Sequence, residues 1–474
     1  MKKLLLVLVA VLGLANCSNR SSTSPVGSGV STGGLGTGGN GSTGGVTSSG
    51  LGGGVTSGGV LGSGGIAASG GATASGGALA SGGSTVTASG GNAGSGGTGK
   101  GGAGSGGTTA GGQSGTGGQT GPGGTSVAAG SGPPETKPLG YGQDTTGGGS
   151  VAAMDVNSMT AMQAAIDAYS GSGGLVLRYT GTFNFSSIPD PCTQWNLGAQ
   201  TVEIKKKNDI TILGTDASAA NFGIHIASSA SNIIVRNMTL GLLPGGGNAD
   251  AISLEGMSGG VPTNIWIDHN ELFSSMAVCA GAGDSSFDGL IDIKKGADKV
   301  TVSYNYLHDH HKVSLNGYSE TDTAVRHVTF HHNIFQNVGS RTPLQRAGFS
   351  HLLNNYFNQI ETSGVNVRIG GYSLIEGNYF ENAQNPVTSR DSTAIGNWEL
   401  RNNNILSPAD FTTYKITWVP SSSTPTVDAT TWTTTAVYPE ALGYAYAADP
   451  PGCLKSDLAS VAGAGKGLTT LKCK

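Results

Sequence analysis

Short stretches of alternating apolar and polar residues recur through the second half of the chain, and each runs into an asparagine. Six of these stretches superpose when their asparagines are aligned, at intervals of 35, 28, 22, 23 and 25 residues: Asn270, Asn305, Asn333, Asn355, Asn378 and Asn403. Alternation with a period of two is typical of strands, and a strand-and-turn unit repeating at this interval is typical of a solenoid. We therefore predict an all-β chain folded as a parallel β-helix.

The alternation also predicts which side chains face the interior of each coil. Ile265 and Ile267, Val300 and Val302, and Val328 and Phe330 occupy the apolar positions of three successive repeats. Alternate residues of a strand point to one face, so we expect these pairs inside and the aligned asparagines hydrogen-bonded along one turn of the stack. The stretch Ser158 to Tyr169 has a helical pattern instead, and we expect a short helix that caps the first coil and protects its open edge.

The N-terminal third has a different composition. Residues 1–17 combine two lysines, an apolar run from Leu4 to Leu14 and Cys17. This is a secretory signal too short to span a membrane. LANC before Ser18 resembles a bacterial lipoprotein signal, which implies lipidation of Cys17. The alternative is an ordinary signal peptide with an incidental cysteine.

Residues 18–137 are dominated by Gly, Ser, Thr and Ala, a composition that buries too little apolar surface to fold. We predict a disordered linker there and a single folded domain over residues 138–474. The formal net charge of -4 argues against nucleic acid as a partner. We expect an exported monomer, secreted or held at the cell surface, that touches membrane only through a lipid anchor on Cys17.

Four further cysteines allow two disulfides in an exported chain: Cys192, Cys279, Cys453 and Cys473. Their pairing is not readable from the sequence, although Cys453 with Cys473 would staple the C-terminal tail. Five histidines cluster in two short segments, at positions 308–311 and 331–332. Because alternation places adjacent residues on opposite faces, we interpret them as stacking or hydrogen-bonding residues and not as a zinc site.

Cationic residues gather at one position of the predicted coil. Lys312 lies seven residues after Asn305 and Arg341 eight after Asn333, and Asp292 precedes Lys312 by 20 residues, close to one repeat. These three side chains therefore belong to successive coils, with backbones about 4.8 Å apart. A column of paired surface charges is the alternative interpretation, and it would contribute little stability.

Strand parity adds to this placement. Side chains alternate along a strand, so Asp292 should point outward if Ile291 and Ile293 point inward. By the same argument, Lys312 should point outward if Val313 and Leu315 point inward. The segment from Val338 to Arg346 adds a second arginine and contains no carboxylate. Two guanidinium groups without a local partner suit carboxylate ligands, whereas the alternative is a solvated surface turn.

Additional acids suggest a metal site. Asp250, Asp288 and Asp292 carry carboxylates, and Asn248 shares the face of Asp250 if that segment is extended. Oxygen ligands without Cys or His favour calcium. On a straight strand Asp288 and Asp292 would lie about 13 Å apart. Gly289 must then allow a bend, or one of the two is not a ligand.

Several motifs in order resemble the calcium-dependent pectate lyases of polysaccharide lyase family one: WIDHN from Trp266, DIKKGADKVTVSYN from Asp292, HDHHKVSLNG from His308, RTPLQR from Arg341, NVRIGG from Asn366 and NPVTSRD from Asn385. The resemblance implies a right-handed parallel β-helix that cleaves polygalacturonate by calcium-assisted β-elimination. It further implies that Asp250, Asp288 and Asp292 bind calcium, that Lys312 and Arg346 bind substrate, and that Arg341 removes the C5 proton.

Two positions differ from the family's pattern. Asn248 stands where aspartate is common and Asp288 where glutamate is common, which predicts weaker calcium binding without substrate. Two other functions share this architecture, a polygalacturonate hydrolase and a surface-tethered, non-catalytic pectin-binding solenoid. Hydrolysis would require two carboxylates acting as acid and base, whereas these acids are better explained as a metal cluster. Arg368 and Arg390 are expected either to contact outer substrate carboxylates or to form structural ion pairs.

Overall fold

The computed structural model describes residues 131–282 and 286–473, which wind through three sheets of 10, 9 and 7 strands, and most coils contribute one strand to each sheet. The order of strands in each sheet follows the chain, and consecutive strands are parallel except for Val427–Asp428, which pairs antiparallel with Val387–Ser389. This is the parallel β-helix predicted from the repeat.

The strands of each sheet are as follows. Sheet 1 contains Met154–Val156, Leu175–Tyr179, Asn208–Gly214, Ser231–Arg236, Thr263–Asp268, Asp298–Ser303, His327–His331, Phe349–Leu353, Tyr372–Glu376 and Asn397–Arg401. Sheet 2 contains Thr201–Lys205, Gly223–Ala227, Ile252–Glu255, Ile291–Lys294, Ser314–Asn316, Leu344–Arg346, Val365–Arg368, Val387–Ser389 and Val427–Asp428. Sheet 3 contains Ala219–Ala220, Thr239–Gly241, Glu271–Phe273, Tyr306–Lys312, Ile334–Ser340, Tyr356–Ser363 and Tyr379–Ala383.

Helices are short and lie outside the coils. The α-helices in the described residues are Met159–Ala168, Cys192–Trp195, Phe411–Tyr414 and Pro451–Asp457. The 3-10 helices there are Phe185–Ser187, Gly246–Asn248, Pro408–Asp410 and Leu458–Ser460. No helix in this part of the chain is long and apolar enough to cross a membrane.

The core is a column of apolar side chains stacked along the coil axis. All six interior positions predicted from the alternation are fully buried. In sheet 3, Phe357 stacks on Phe335 at a centroid distance of 5.0 Å and on Phe380 at 4.5 Å. Burying each such side chain contributes about 1.5–3 kcal/mol, so the repeated inward pattern supplies the main stabilisation of every coil.

The aligned asparagines form a continuous hydrogen-bonded ladder at the turn between sheets 1 and 3. Asn305 Nδ2 donates to Asn333 Oδ1 at 3.0 Å, and its backbone N–H donates to the same oxygen at 3.0 Å. The same amide also donates to the carbonyl of Ile267 in the preceding coil. The pattern repeats from Asn270 to Asn403, and every member is buried, so the ladder satisfies polar groups that the turn would otherwise leave without partners.

The helix Met159–Ala168 lies against the first strand of sheet 2. Ser158 is its N-cap and accepts a hydrogen bond from the N–H of Ala161. Met162 and Ile166 are buried in the core, and Gln163 bonds both the N–H and the carbonyl of Glu203 on that strand. These contacts are the ones a cap would make, and protection of the coil's open edge remains a prediction.

The domain begins earlier than the predicted boundary. Ser131–Gly132 pairs with Thr470–Leu471 as an antiparallel ribbon, so residues 131–137 belong to the folded part and not to the linker. The signal residues 1–17, Cys17 and the rest of the predicted linker lie outside the described residues. Two disulfides are present, Cys192 with Cys279 and Cys453 with Cys473, and the second joins the C-terminal tail as the sequence suggested.

Candidate active site

Three carboxylates meet on the outer face of sheet 2. Asp292 is on the strand Ile291–Lys294, Asp250 precedes the neighbouring strand Ile252–Glu255, and Asp288 lies in the segment leading to Ile291. Ligand oxygens of the three lie within 4.8 Å of one another. The structure thus assembles the acids that the sequence assigned to calcium, and calcium remains a prediction for this site.

A bend at Leu290, directly after Gly289, brings Asp288 and Asp292 together. The segment is not extended before Ile291, and the N–H of Gly289 donates to Asp250 Oδ1 at 3.1 Å. A Cβ at this position would lie 2.1 Å from Asp292 Oδ1. Only a glycine allows the carboxylate to approach the turn this closely, which resolves the 13 Å separation expected for a straight strand.

The cluster has the electrostatic character of a cation site. Burial, followed by the charge of Asp250, raises the pKa of Asp292 well above its usual range, and the same two causes raise the pKa of Asp288 to about 6. Asp292 Oδ1 is buried and has no hydrogen-bond partner among the described residues. A buried oxygen without a donor, beside two more carboxylates, fits a hard divalent cation.

Lys294 was missed by the sequence reasoning. Its Nζ lies 2.6 Å from Asp250 Oδ2 and 3.8 Å from Asp292 Oδ2. Burial lowers its pKa, but Asp250 and Asp292 outweigh that effect and raise it above the ordinary value. The signal was available, because Lys294 follows Asp292 by two residues on the same strand and so shares its outer face.

Asn248 does not follow the predicted geometry. We expected an extended segment that would place it on the face of Asp250. Instead Asn248 ends the 3-10 helix Gly246–Asn248 and is exposed, whereas Asp250 is buried. Its role as a calcium ligand remains a prediction without the extended backbone that motivated it.

Two cations without protein partners lie near this cluster. Lys312 and Arg341 line a cavity of about 440 Å³. Neither side chain forms a hydrogen bond or ion pair with any residue that the structure describes. Burial lowers the pKa of both groups, and the charge of Arg341 lowers the pKa of Lys312 further. Unpartnered cations in a cavity are suited to an anionic ligand.

The register of the coils places these cations one residue apart. Lys312 pairs with Ser340 and not with Arg341. Arg341 is the residue after Ser340, and its backbone is in the left-handed region at φ 65°. The prediction that both occupy nearly the same position on successive coils is therefore correct to one residue. Val313 is in the core as expected, but Leu315 is in register with Asp292 on the outer face, so its predicted inward orientation is wrong.

Arg346 is held more tightly than Arg341. Its Nε donates to Glu320 Oε1 at 3.1 Å, and a terminal nitrogen donates to the carbonyl of Gly317 at 2.7 Å. Glu320 also accepts from Ser392 and from the N–H of Thr393, so it is fixed on both sides. The two arginines that looked equivalent in sequence therefore differ, because Arg346 is ion-paired and the side chain of Arg341 has no partner among the described residues.

The remaining two arginines, Arg368 and Arg390, both form ion pairs, and Arg368 also lines the cavity. Arg368 is in register with Arg346, lines the cavity, and lies 3.7 Å from the carboxylate of Asp391. Arg390 instead donates to Asp428 at 2.9 Å and to the carbonyl of Val419, so it is a structural residue.

The WIDHN segment lies on sheet 1 and forms a buried network of its own. Asp268 accepts from Arg236 at 2.5 Å and from Ser303 at 2.6 Å, and Trp266 donates to Ser303. The histidines stack as expected, with His308 against Phe273 at a centroid distance of 5.1 Å.

Comparison with known proteins decides the family. A pectate lyase family profile matches residues 134–467. The chain belongs to the pectate lyase family. It is 48% identical to pectate lyase 1 of Pectobacterium carotovorum over 309 residues, which is 64% of this chain and 80% of that protein.

Solved structures agree with this assignment. Pectate lyase II from Xanthomonas campestris is 56% identical with a TM-score of 0.67, covering 70% of this chain and 99% of that one. Pectate lyase C from Erwinia chrysanthemi, solved with Ca²⁺, is 41% identical with a TM-score of 0.67, covering 71% of this chain and 99% of that one. A pectate lyase C variant was solved with pentagalacturonic acid.

These comparisons confirm a pectate lyase, a polysaccharide lyase that cleaves polygalacturonate by β-elimination. They do not favour the hydrolase or the non-catalytic binder.

Proposed function

We propose that this chain cleaves polygalacturonate by calcium-assisted β-elimination, with Arg341 as the base and Asp250, Asp288 and Asp292 as calcium ligands. The observation that carries the proposal is a pair of unpartnered cations, Lys312 and Arg341, beside three carboxylates that include a buried oxygen without a donor. The structures of pectate lyase C with Ca²⁺ and of its variant in complex with pentagalacturonic acid support both ligands.

The reaction requires removal of a weakly acidic proton. Arg341 takes the C5 proton, the electron pair of the C5–H bond forms the C4=C5 double bond, and the C4–O bond breaks so that the glycosidic oxygen leaves with its electron pair. That oxygen then takes up a proton, and the product carries a 4,5-unsaturated uronate. Negative charge builds on the substrate carboxylate as C5 loses its proton, and a bound calcium ion would neutralise part of it.

Arg341 is better suited to the base role than Arg346. A guanidinium is ordinarily always protonated, so a base arginine needs a depressed pKa and no carboxylate partner. Burial lowers the pKa of Arg341, while Asp292 opposes that effect. If the Asp292 carboxylate also binds a calcium ion, it raises the pKa of Arg341 less. Arg346 instead forms an ion pair with Glu320 and donates to the carbonyl of Gly317, and its other terminal nitrogen remains to bind a substrate carboxylate.

Lys312 acts as a second carboxylate binder. It lines the same cavity as Arg341 and has no competing partner among the described residues. Its ammonium group stabilises the charge that develops on the substrate in the transition state.

The protein acts outside the cytosol as a monomer in this proposal. Its two disulfides suit an oxidising compartment, in agreement with the signal-like residues 1–17. Lipidation of Cys17 and tethering through the linker are proposed from the sequence alone.

Absorbance from the new C4=C5 double bond tests the proposal. Incubation with polygalacturonate and calcium should generate this chromophore, excess chelator should abolish it, and added calcium should restore it. Hydrolysis and binding without catalysis create no double bond. Full activity in excess chelator would contradict the calcium assignment, whereas no chromophore under any condition would contradict elimination.

A further inference from the structure

The cavity that holds Lys312 and Arg341 also contains carboxylates that the reaction does not use. Glu361 and Asp391 line its far side, on the next two coils along the axis. Asp391 lies 3.7 Å from Arg368 and accepts hydrogen bonds from Ser421 and Ser423. Glu361 is exposed, and no residue within the described ranges forms a hydrogen bond or ion pair with its side chain.

A β-bulge aims Glu361 into the cavity. Val338 pairs with Ile360 and Ser340 with Ser363, so two residues of the second strand, Glu361 and Thr362, face one residue of the first. In a regular strand that buries Ile360, only one of the next two residues would point outward. Here both Glu361 and Thr362 are exposed, and bulges near active sites commonly redirect a side chain in this way.

The two sides of the cavity therefore differ in charge. Lys312 and Arg341 present two cations without partners on one side. On the next two coils, Arg368 is the one cation among the described lining residues, and it faces the two carboxylates of Glu361 and Asp391. A polygalacturonate chain carries a carboxylate on every unesterified unit. A free carboxylate is attracted to the first side and repelled at the second, whereas a methyl ester is not repelled there.

We propose that Glu361 is a specificity-determining residue, which makes the subsite one coil beyond Arg341 prefer a methyl-esterified galacturonate unit over a free galacturonate. This rests on the proposed function, since it assumes that the uronate undergoing elimination lies at Lys312 and Arg341. The substrate class that follows is partially esterified pectate, with a free carboxylate at the cleaved unit and an ester beside it.

The test compares two substrates, unesterified polygalacturonate and pectate with about one third of its units randomly methylated. For each variant the ratio of kcat/KM on the esterified substrate to kcat/KM on the unesterified one is measured at saturating calcium. Glu361→Gln should lower this ratio about two- to fivefold, the range expected for one exposed like-charge contact, through faster turnover of the unesterified substrate. Glu361→Lys should lower it further, and the effect of either variant should shrink at high salt.

Glu440→Gln is the matched control, because Glu440 contacts His327 on sheet 1 and does not line the cavity. It should leave the ratio unchanged. An unchanged ratio in Glu361→Gln, or an equal increase in kcat/KM on both substrates, would overturn the inference while leaving elimination intact. Failure of the proposed function has a different signature, since wild-type protein would then give no double-bond absorbance on either substrate.

Discussion

Replacing Gly289 by alanine should separate calcium binding from folding. A Cβ at Gly289 would lie 2.1 Å from Asp292 Oδ1 and 2.7 Å from its Cγ, well inside any allowed contact. The carboxylate can relieve this clash by rotating, so the backbone need not move. The rotation takes Asp292 away from Asp250 and Asp288. Gly289→Ala therefore turns the Asp292 carboxylate away from the cluster, although all three aspartates are still present.

The expected loss of calcium affinity is about 10- to 100-fold, as for other disturbances of ligand orientation. Calcium at 100 times the wild-type Kd stabilises the folded protein by about 2.7 kcal/mol, and the same concentration should stabilise Gly289→Ala by only about 0.4–1.4 kcal/mol. Without calcium the two proteins should unfold within about 4 °C of each other, since only a side-chain end is displaced.

Thermal unfolding across a calcium titration measures this directly and does not depend on activity. Gly198→Ala is the matched control, because an added Cβ there meets nothing within 4 Å. It should respond to calcium as wild type does. A Gly289→Ala protein with an undiminished calcium-dependent rise in Tm would refute the assignment of Asp292 as a ligand positioned by this glycine.

Three further outcomes are expected. Arg341→Lys should lower kcat by about 100-fold or more with little change in KM, whereas Arg346→Lys should also raise KM. Steady-state kinetics that show equal KM defects in the two variants would indicate that both arginines only bind substrate. In the folded protein the pKa of Asp288 is raised to about 6, so between pH of about 4 and about 6 the folded state holds a proton that the unfolded state has released. In chelator, the Tm should therefore fall as the pH rises through this range. Added calcium should remove the fall. Cys17→Ser should leave the activity of the domain unchanged but reduce membrane association in fractionation, and equal association of both forms would argue against a lipid anchor.

The sequence by itself determined the fold and most of the chemistry. Inward positions repeat with a period of two within strands, and asparagines repeat once per coil, so both patterns are local and directly readable. The ladder from Asn270 to Asn403 and the buried core follow from them. The motif from Arg341 to Arg346 and the acids were likewise visible as residue types at fixed spacings.

Tertiary structure decided how those residues meet. The bend at Leu290 brings Asp288 to Asp292, and a contact across coils pairs Lys294 with Asp250. Strand alternation places Lys294 on the outer face with Asp292, but it does not show that Lys294 meets Asp250 or that Asp288 meets Asp292. Turns between coils differ in length and change the direction of the side chains that follow. The inward prediction for Leu315 failed for this reason.

The same limit explains the difference between the two arginines and the position of Glu361. Arg346 is paired because a loop from another coil carries Glu320 to it, while Arg341 has no such neighbour in the described structure. Glu361 faces the cavity because one extra residue interrupts the register between two strands. Charge pairing and strand register both depend on how neighbouring coils align with each other. That alignment exists only in the folded β-helix and cannot be read from one strand.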